Sequence, residues 1–287
     1  MADDAAAAGT EGEGGFTFKL YRYTPSLTAA IIFVVIFAVL SAVHTWRLLR
    51  YRAYYFTAFT IGGYFQLVGY AGRIWSHYKP DAIGGFVMQA ILILVAPALY
   101  AASIYMILGH LIRTLNASSL SLLPVAQMTK IFVTGDVVSF TLQAGGGGIQ
   151  SAGTLDLYNL GEKIIIVGLF VQIVVFGFFV VTVILFHRRY VKEEGLSSGD
   201  IGQVVHWRRH LWVLYFVCAL ILIRSIFRVI EYLQGNGGYL ISHEAFLYVF
   251  DAVLMAIVMA VFAVWYVDNL DSEKEHLSGR DFAMEMS

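Results

Sequence analysis

Seven apolar stretches of roughly membrane-spanning length divide this chain: Pro25 to Val43, Tyr54 to Ile74, Ile83 to Leu108, Met128 to Gly145, Lys163 to Phe186, Leu211 to Leu233 and His243 to Val267. Each is long enough, at 1.5 Å per helical residue, to cross a hydrocarbon core about 30 Å thick. Inside lipid every backbone amide must find its partner within its own segment, so such stretches must be helices. The fourth is the weakest, because Asp136 and Gln143 interrupt it, and the sixth and seventh also carry charge. Only 14% of the 287 residues are charged and 59% are hydrophobic. An average soluble domain carries roughly 25% charged residues, so composition points the same way. The expected fold is all-α, a polytopic membrane protein with seven transmembrane helices in one bundle.

Residues 1–22 begin with Ala, Gly and acidic residues and lack the basic and apolar regions of a signal peptide, so a disordered tail is expected there. The bundle then occupies 23–267 and a polar, mildly acidic tail 268–287. A net charge of −1 gives no electrostatic reason to expect nucleic acid or an acidic partner. Cys218, the single cysteine, excludes an internal disulfide and a thiolate metal cluster.

Orientation follows from the short loops. With the amino terminus outside, the inner side collects Arg47, Arg50, Arg52, Arg113, Lys130, Arg188, Arg189, Lys192, Arg208, Arg209, Lys274 and Arg280, against Lys19, Arg22, Lys79 and Lys163 outside. The positive-inside bias therefore places the carboxyl terminus in the cytosol. The Asn116-Ala117-Ser118 sequon then falls on the cytosolic side, and a glycan on Asn116 would reverse the assignment. Two glycine-rich runs, Gly145 to Gly148 and Gly235 to Gly238, are expected as short outer connections.

Ionisable groups inside these stretches are the candidates for function. A central Arg costs roughly 2.5–3.5 kcal/mol on insertion scales, so it must be shielded in a protein interior or a wet cavity. Their spacing is helical. Gln66, Tyr70, Arg73 and His77 share one face of the second helix, and Asp136, Ser139 and Gln143 one face of the fourth. Arg224, Arg228 and Glu231 align on the sixth, and Glu244, Tyr248, Asp251 and Met255 on the seventh, with His243 beside them. Four stripes facing one another predict a polar funnel open to the outside and closed toward the cytosol. Asp136, Gln143, Arg224 and Asp251 are expected deep in it. His77, Arg73, Arg228, Glu231, His243 and Glu244 are expected near the mouth. The candidate ligand-binding set is thus Gln66, Tyr70, Arg73, Asp136, Gln143, Arg224, Arg228, Glu231, His243, Glu244, Tyr248 and Asp251. The same charges would also serve as clamps that fix helix register.

Ala252, Ala256 and Ala260 form a small-residue ridge that predicts a close helix approach, and Pro97 predicts a kink in the third helix. His206 and His210 are four apart, but Arg208 and Arg209 between them repel a cation, and no metal site or catalytic residue is assigned. No Walker sequence is present, so no direct ATP drive is expected.

Several motifs in order resemble one family. Tyr23-Thr24-Pro25-Ser26, Gly69-Tyr70-Ala71-Gly72-Arg73, Ala96-Pro97-Ala98 with Ala101-Ala102-Ser103-Ile104-Tyr105, Phe132-Val133 through Asp136-Val137-Val138-Ser139 to Gln143 and Gly145-Gly146-Gly147, and Arg224 to Tyr232 leading to Gly235, Gly238, His243-Glu244 and Tyr248 are similar to the fungal RTA-like family of seven-helix membrane proteins, also called lipid-translocating exporters. Gln66 stands where that family usually has Glu, and His110 where it often has Arg. The resemblance implies a fungal plasma-membrane protein, not an enzyme, that exports or translocates sphingoid long-chain bases and gives resistance to toxic amphiphiles. Some relatives are associated with porphyrin or haem uptake, which makes haem a possible cargo and not a cofactor. The expected partners are membrane lipids and an amphiphilic small molecule. Three other functions stay open: a seven-helix lipid sensor, a haem transporter, and an intramembrane lipid hydrolase built on His77, His243, Glu244 and Asp136. Helix seven lacks the lysine of a retinal protein and the Asn-Pro-x-x-Tyr motif of familiar receptors.

Overall fold

The computed structural model describes residues 26–79, 83–150, 155–194, 207–235 and 238–265. The tails expected at 1–22 and 268–287 lie outside the described residues, as does His206. Seven long helical rods account for nearly all of them: α1 (Leu27–Tyr51), α2 (Thr57–Tyr78), α3 (Ile83–Thr114), α4 (Val125–Gln150), α5 (Leu155–Glu194), α6 (Trp207–Leu233) and α7 (Glu244–Val264). No strand occurs among the described residues. Five rods, α1, α3, α5, α6 and α7, contain segments long and apolar enough to cross a membrane. The other two, α2 and α4, are diluted by glycine and by their polar stripes.

Each rod packs on the next in sequence and α7 returns to α1, so the rods close a ring. Helix α3 also reaches α5 and α6, which places it inside that ring. The outward faces are apolar: Ile31, Val35 and Val39 on α1 and Val167, Phe170 and Val174 on α5 are all exposed. In water a surface of this kind would aggregate, whereas in a bilayer it meets acyl chains. The molecule is a membrane protein by this surface as well as by its spans.

The start of α1 is tied to the start of α7. Ser26 is the N-cap, its Oγ accepting the Ala29 amide at 3.4 Å, and its own amide donates to Glu244 Oε1 and Oε2 at 3.0 and 2.8 Å. One carboxylate thereby satisfies a backbone donor that the helix itself cannot.

One of the two expectations about glycine changes. Gly145 to Gly148 do not form a connection; they lie within α4, which continues to Gln150. Gly146 is buried against α5: a Cβ there would stand 2.8 Å from the Gly161 carbonyl oxygen and 2.9 Å from the Ile165 nitrogen. The run stays helical because Gly146 and Gly161 together let two backbones touch. Gly235 does end a helix: its φ of 67° and its amide bond to the Tyr232 carbonyl make it the left-handed terminator of α6.

The Ala ridge of α7 also differs from expectation. Ala252 is fully buried, but Ala256 and Ala260 line a lipid-facing cavity of about 530 Å³ between α7 and α1, bordered by Phe33, Ile36, Val39 and Leu40. Small side chains here leave a groove instead of drawing the helices together.

Candidate functional site

The polar stripes of α2, α6 and α7 face one another inside the ring, and α3 completes the set. At its centre Arg224 grips Asp251 with two prongs, Nε to Oδ1 at 2.6 Å and Nη2 to Oδ2 at 3.2 Å. The pair is almost completely buried, at 1% and 0% exposure. Its third contact explains a proline. Pro97 has no amide hydrogen, so the carbonyl four residues earlier, that of Ile93, loses its helical partner. Arg224 Nη2 donates to that oxygen at 3.2 Å. Helix α3 runs on through Pro97, and the guanidinium supplies the bond that the helix lacks.

Asp251 is seated by a second irregularity, since residues Tyr248–Val253 of α7 wind as a π-helix. Such turns are uncommon and concentrate at functional sites. Tyr248, Asp251 and Met255 all stay buried across it. A proline-freed carbonyl on α3 and a π turn on α7 therefore converge on one ion pair.

Toward the Glu244 end lies a second pair. Arg73 Nη2 donates to Glu244 Oε1 at 2.6 Å, and its guanidinium stands 5.3 Å from the Tyr248 ring centre. Arg73 is 1% exposed and Glu244 15%, so the carboxylate marks the rim. Gln89 of α3 lies within 3.5 Å of Arg73 Nη1. The third pair, Arg228 Nη1 to Glu231 Oε2 at 2.7 Å, joins neighbours on α6. Three guanidiniums and three carboxylates cancel, and the column has no net charge.

Below the central pair the bundle closes on aromatic rings. Phe56, Phe59, Tyr100 and Phe262 pack edge to face or tilted, and His44 reaches the Met259 carbonyl at 3.0 Å. Above it Phe33, Phe37, Tyr70 and Tyr248 stack face to face.

Helix α4 does not join this column. Asp136 accepts a hydrogen bond from Tyr105 of α3 at 2.9 Å, Ser139 donates to the Gly168 carbonyl at 2.8 Å, and Gln143 donates to Gln172 at 3.2 Å. Asp136 was expected beside Arg224 and Asp251; among the described residues no cation lies within ion-pair distance of it. Ser139 and Gln143 face α5 on the side where Gly146 and Gly161 bring the two backbones together, while Asp136 faces α3. His243 is exposed, bonded to the Tyr239 carbonyl at 2.8 Å, and stands outside the column.

The chain compares with known proteins over most of its length. The family model "RTA1 like protein" matches residues 59–273. The chain belongs to the RTA1-like family. It is 38% identical over 283 residues to "Protoporphyrin uptake protein 1" of Saccharomyces cerevisiae, covering 86% of this chain and 91% of that protein. Identity to "Protein RTA1" of the same organism is 36%, over 86% and 84% of the two chains. "Sphingoid long-chain base transporter RSB1" is 28% identical over 84% of this chain and 72% of its own. No solved structure matches.

In this RTA1-like chain the sequence singled out Arg224 and Asp251 but not their α3 partner, because a backbone carbonyl has no side-chain signature. The signal was the position of Pro97, four residues beyond Ile93. Gln89, Tyr105 and Gln172 were also missed, each a lone polar group in an apolar run. One consequence concerns the fork. A lysine at 224 keeps the charge but cannot engage both Asp251 oxygens and the Ile93 carbonyl together. Arg224→Lys is expected to lower stability by about 1.5–3 kcal/mol, the worth of a charged hydrogen bond, read as a drop in the unfolding temperature of purified protein.

Proposed function

We propose that this protein is a translocator of amphiphilic lipids, with sphingoid long-chain bases or related toxic amphiphiles as cargo, working in the plasma membrane with its amino terminus outside and its carboxyl terminus in the cytosol. In this reading all seven rods span. The observation that carries it is the buried polar column of α2, α3, α6 and α7, in which Arg73, Arg224, Asp251 and Gln66 are all buried inside the bundle. Intramembrane ionisable groups are costly and mark substrate pathways in preference to packing alone. The relative named for sphingoid long-chain base transport supports the cargo. Transport fits this column better than catalysis, because its three carboxylates are each held by an arginine and none is placed as a base. No residue of the column is therefore assigned a catalytic role.

A second cargo is favoured by one observation: the relative named for protoporphyrin uptake is the more similar, at 38% against 28%. Purified protein in liposomes decides between them. Movement of a fluorescent sphingoid base, competed by unlabelled base but not by protoporphyrin, is the expected result. Protein-dependent movement of protoporphyrin alone would transfer the reading to porphyrins, and no flux of either under any imposed gradient would end it.

A further inference from the structure

Two features unused by the ion pairs stand back to back across α1. On the inner side, Gln66 is fully buried, and neither its Nε2 nor its Oε1 has a hydrogen-bond partner. The Tyr70 hydroxyl and Ser41 Oγ, both in fully buried residues, are unbonded as well. Each such group destabilises the fold unless something bonds to it. All three border the seam between α1, α2 and α7. Gly63, three residues before Gln66, meets both Ser41 and Met259, and Tyr70, four residues after it, lies against Phe33, Phe37 and Tyr248.

On the outer side lies the 530 Å³ groove between α1 and α7, whose lining is entirely apolar. Phe33 belongs to both: it lines the groove and stacks on Tyr248 with ring centres 5.2 Å apart. Leu40, the neighbour of Ser41, lines it as well. Val35 and Val39 stand at its mouth, 56% and 58% exposed.

We propose that this groove is a lateral port that takes a single-chain amphiphile from the membrane, its chain along α1 and α7 and its head group past Phe33 to Gln66, Tyr70 and Ser41. The proposal rests on the translocator reading and specifies where cargo enters and what part of it is recognised. The groove follows a single helix pair over about two turns of α1, which suits one chain. The three arginines are already matched by carboxylates, so the spare capacity at the seam is an amide and three hydroxyls, that of Tyr248 included, which donate and accept without charge. Such groups read hydroxyls or an amide on the cargo and give a bare ammonium no counter-ion. Unbonded polar groups paired with a ligand group discriminate strongly against an analogue that lacks it.

The test uses full-length protein in lipid nanodiscs and liposomes with a photoactivatable sphinganine. Labelling is expected on α1 and α7 within the groove, and sphinganine should compete about tenfold better than octadecylamine, which has the amine and chain but no hydroxyls. Val39→Trp, at an exposed position, should cut both labelling and flux at least tenfold. Gln66→Leu should abolish the preference for sphinganine over octadecylamine while leaving the unfolding temperature unchanged or higher, because it removes an unbonded buried amide. Labelling confined to other faces, equal labelling by a photoactivatable diacyl phospholipid, or unchanged behaviour of both variants would overturn the port. If wild-type protein labels in the groove but moves nothing, the port stands and the translocator reading falls.

Discussion

Asp251→Ala is expected to destabilise the protein by roughly 3–5 kcal/mol, the cost of stranding one partner of a buried ion pair. Arg224 would keep only the Ile93 carbonyl of its three acceptors, with its charge 1% exposed and no neighbouring carboxylate to neutralise it. Three helices lose their common tie at once, since Arg224 belongs to α6, Asp251 to α7 and Ile93 to α3. Replacing both charges, as in Arg224→Leu with Asp251→Leu, removes the stranded charge, and most of the stability should return. Unfolding of detergent-purified protein followed by tryptophan fluorescence checks both. A single variant that melts with the wild type would mean that the pair does not hold the bundle.

The second large effect is expected between α4 and α5. A Cβ on Gly161 would stand 2.5 Å from the Gly146 carbonyl oxygen and 2.6 Å from the Gln150 nitrogen, and backbone cannot swing aside as a side chain does. Overpacking costs about 1–3 kcal/mol where side chains absorb it, so Gly161→Ala should lie at or above the top of that range. Gly147→Ala is the control from the same glycine-rich region. Nothing lies within 4 Å of its added carbon, and Ala improves a helix interior by about 0.5–1 kcal/mol over Gly. Opposite shifts in unfolding temperature are expected; equal tolerance would mean that Gly145 to Gly148 are a loop after all.

These two results mark where the sequence was legible. Apolar run length located all seven rods, because lipid leaves a long apolar segment little choice but helix. Helical spacing put Gln66, Tyr70 and Arg73 on one face, and Arg224, Arg228 and Glu231 on another, and each face turned inward. Opposite charge then grouped Arg224 with two aspartates, Asp136 and Asp251, and of the two Asp251 is the one that pairs with it. Spacing fixes a face but not the neighbour that the face meets, which is why Asp136 and Gln143 were expected in the column and instead meet Tyr105 and Gln172. The glycine run failed for a related reason: the same residues serve a flexible turn or a tight helix contact, and only the presence of Gly161 on the adjoining helix decides. The π turn around Asp251 has no residue signature at all.

The central claim is that the α2, α3, α6 and α7 column carries cargo and is more than a clamp. The most direct measurement pairs unfolding temperature with sphingoid-base flux for the uncharged double variant Arg224→Leu with Asp251→Leu in liposomes. The account predicts a folded protein, melting close to the wild type, with flux reduced to that of empty liposomes. A folded double variant that transports at the wild-type rate would contradict it.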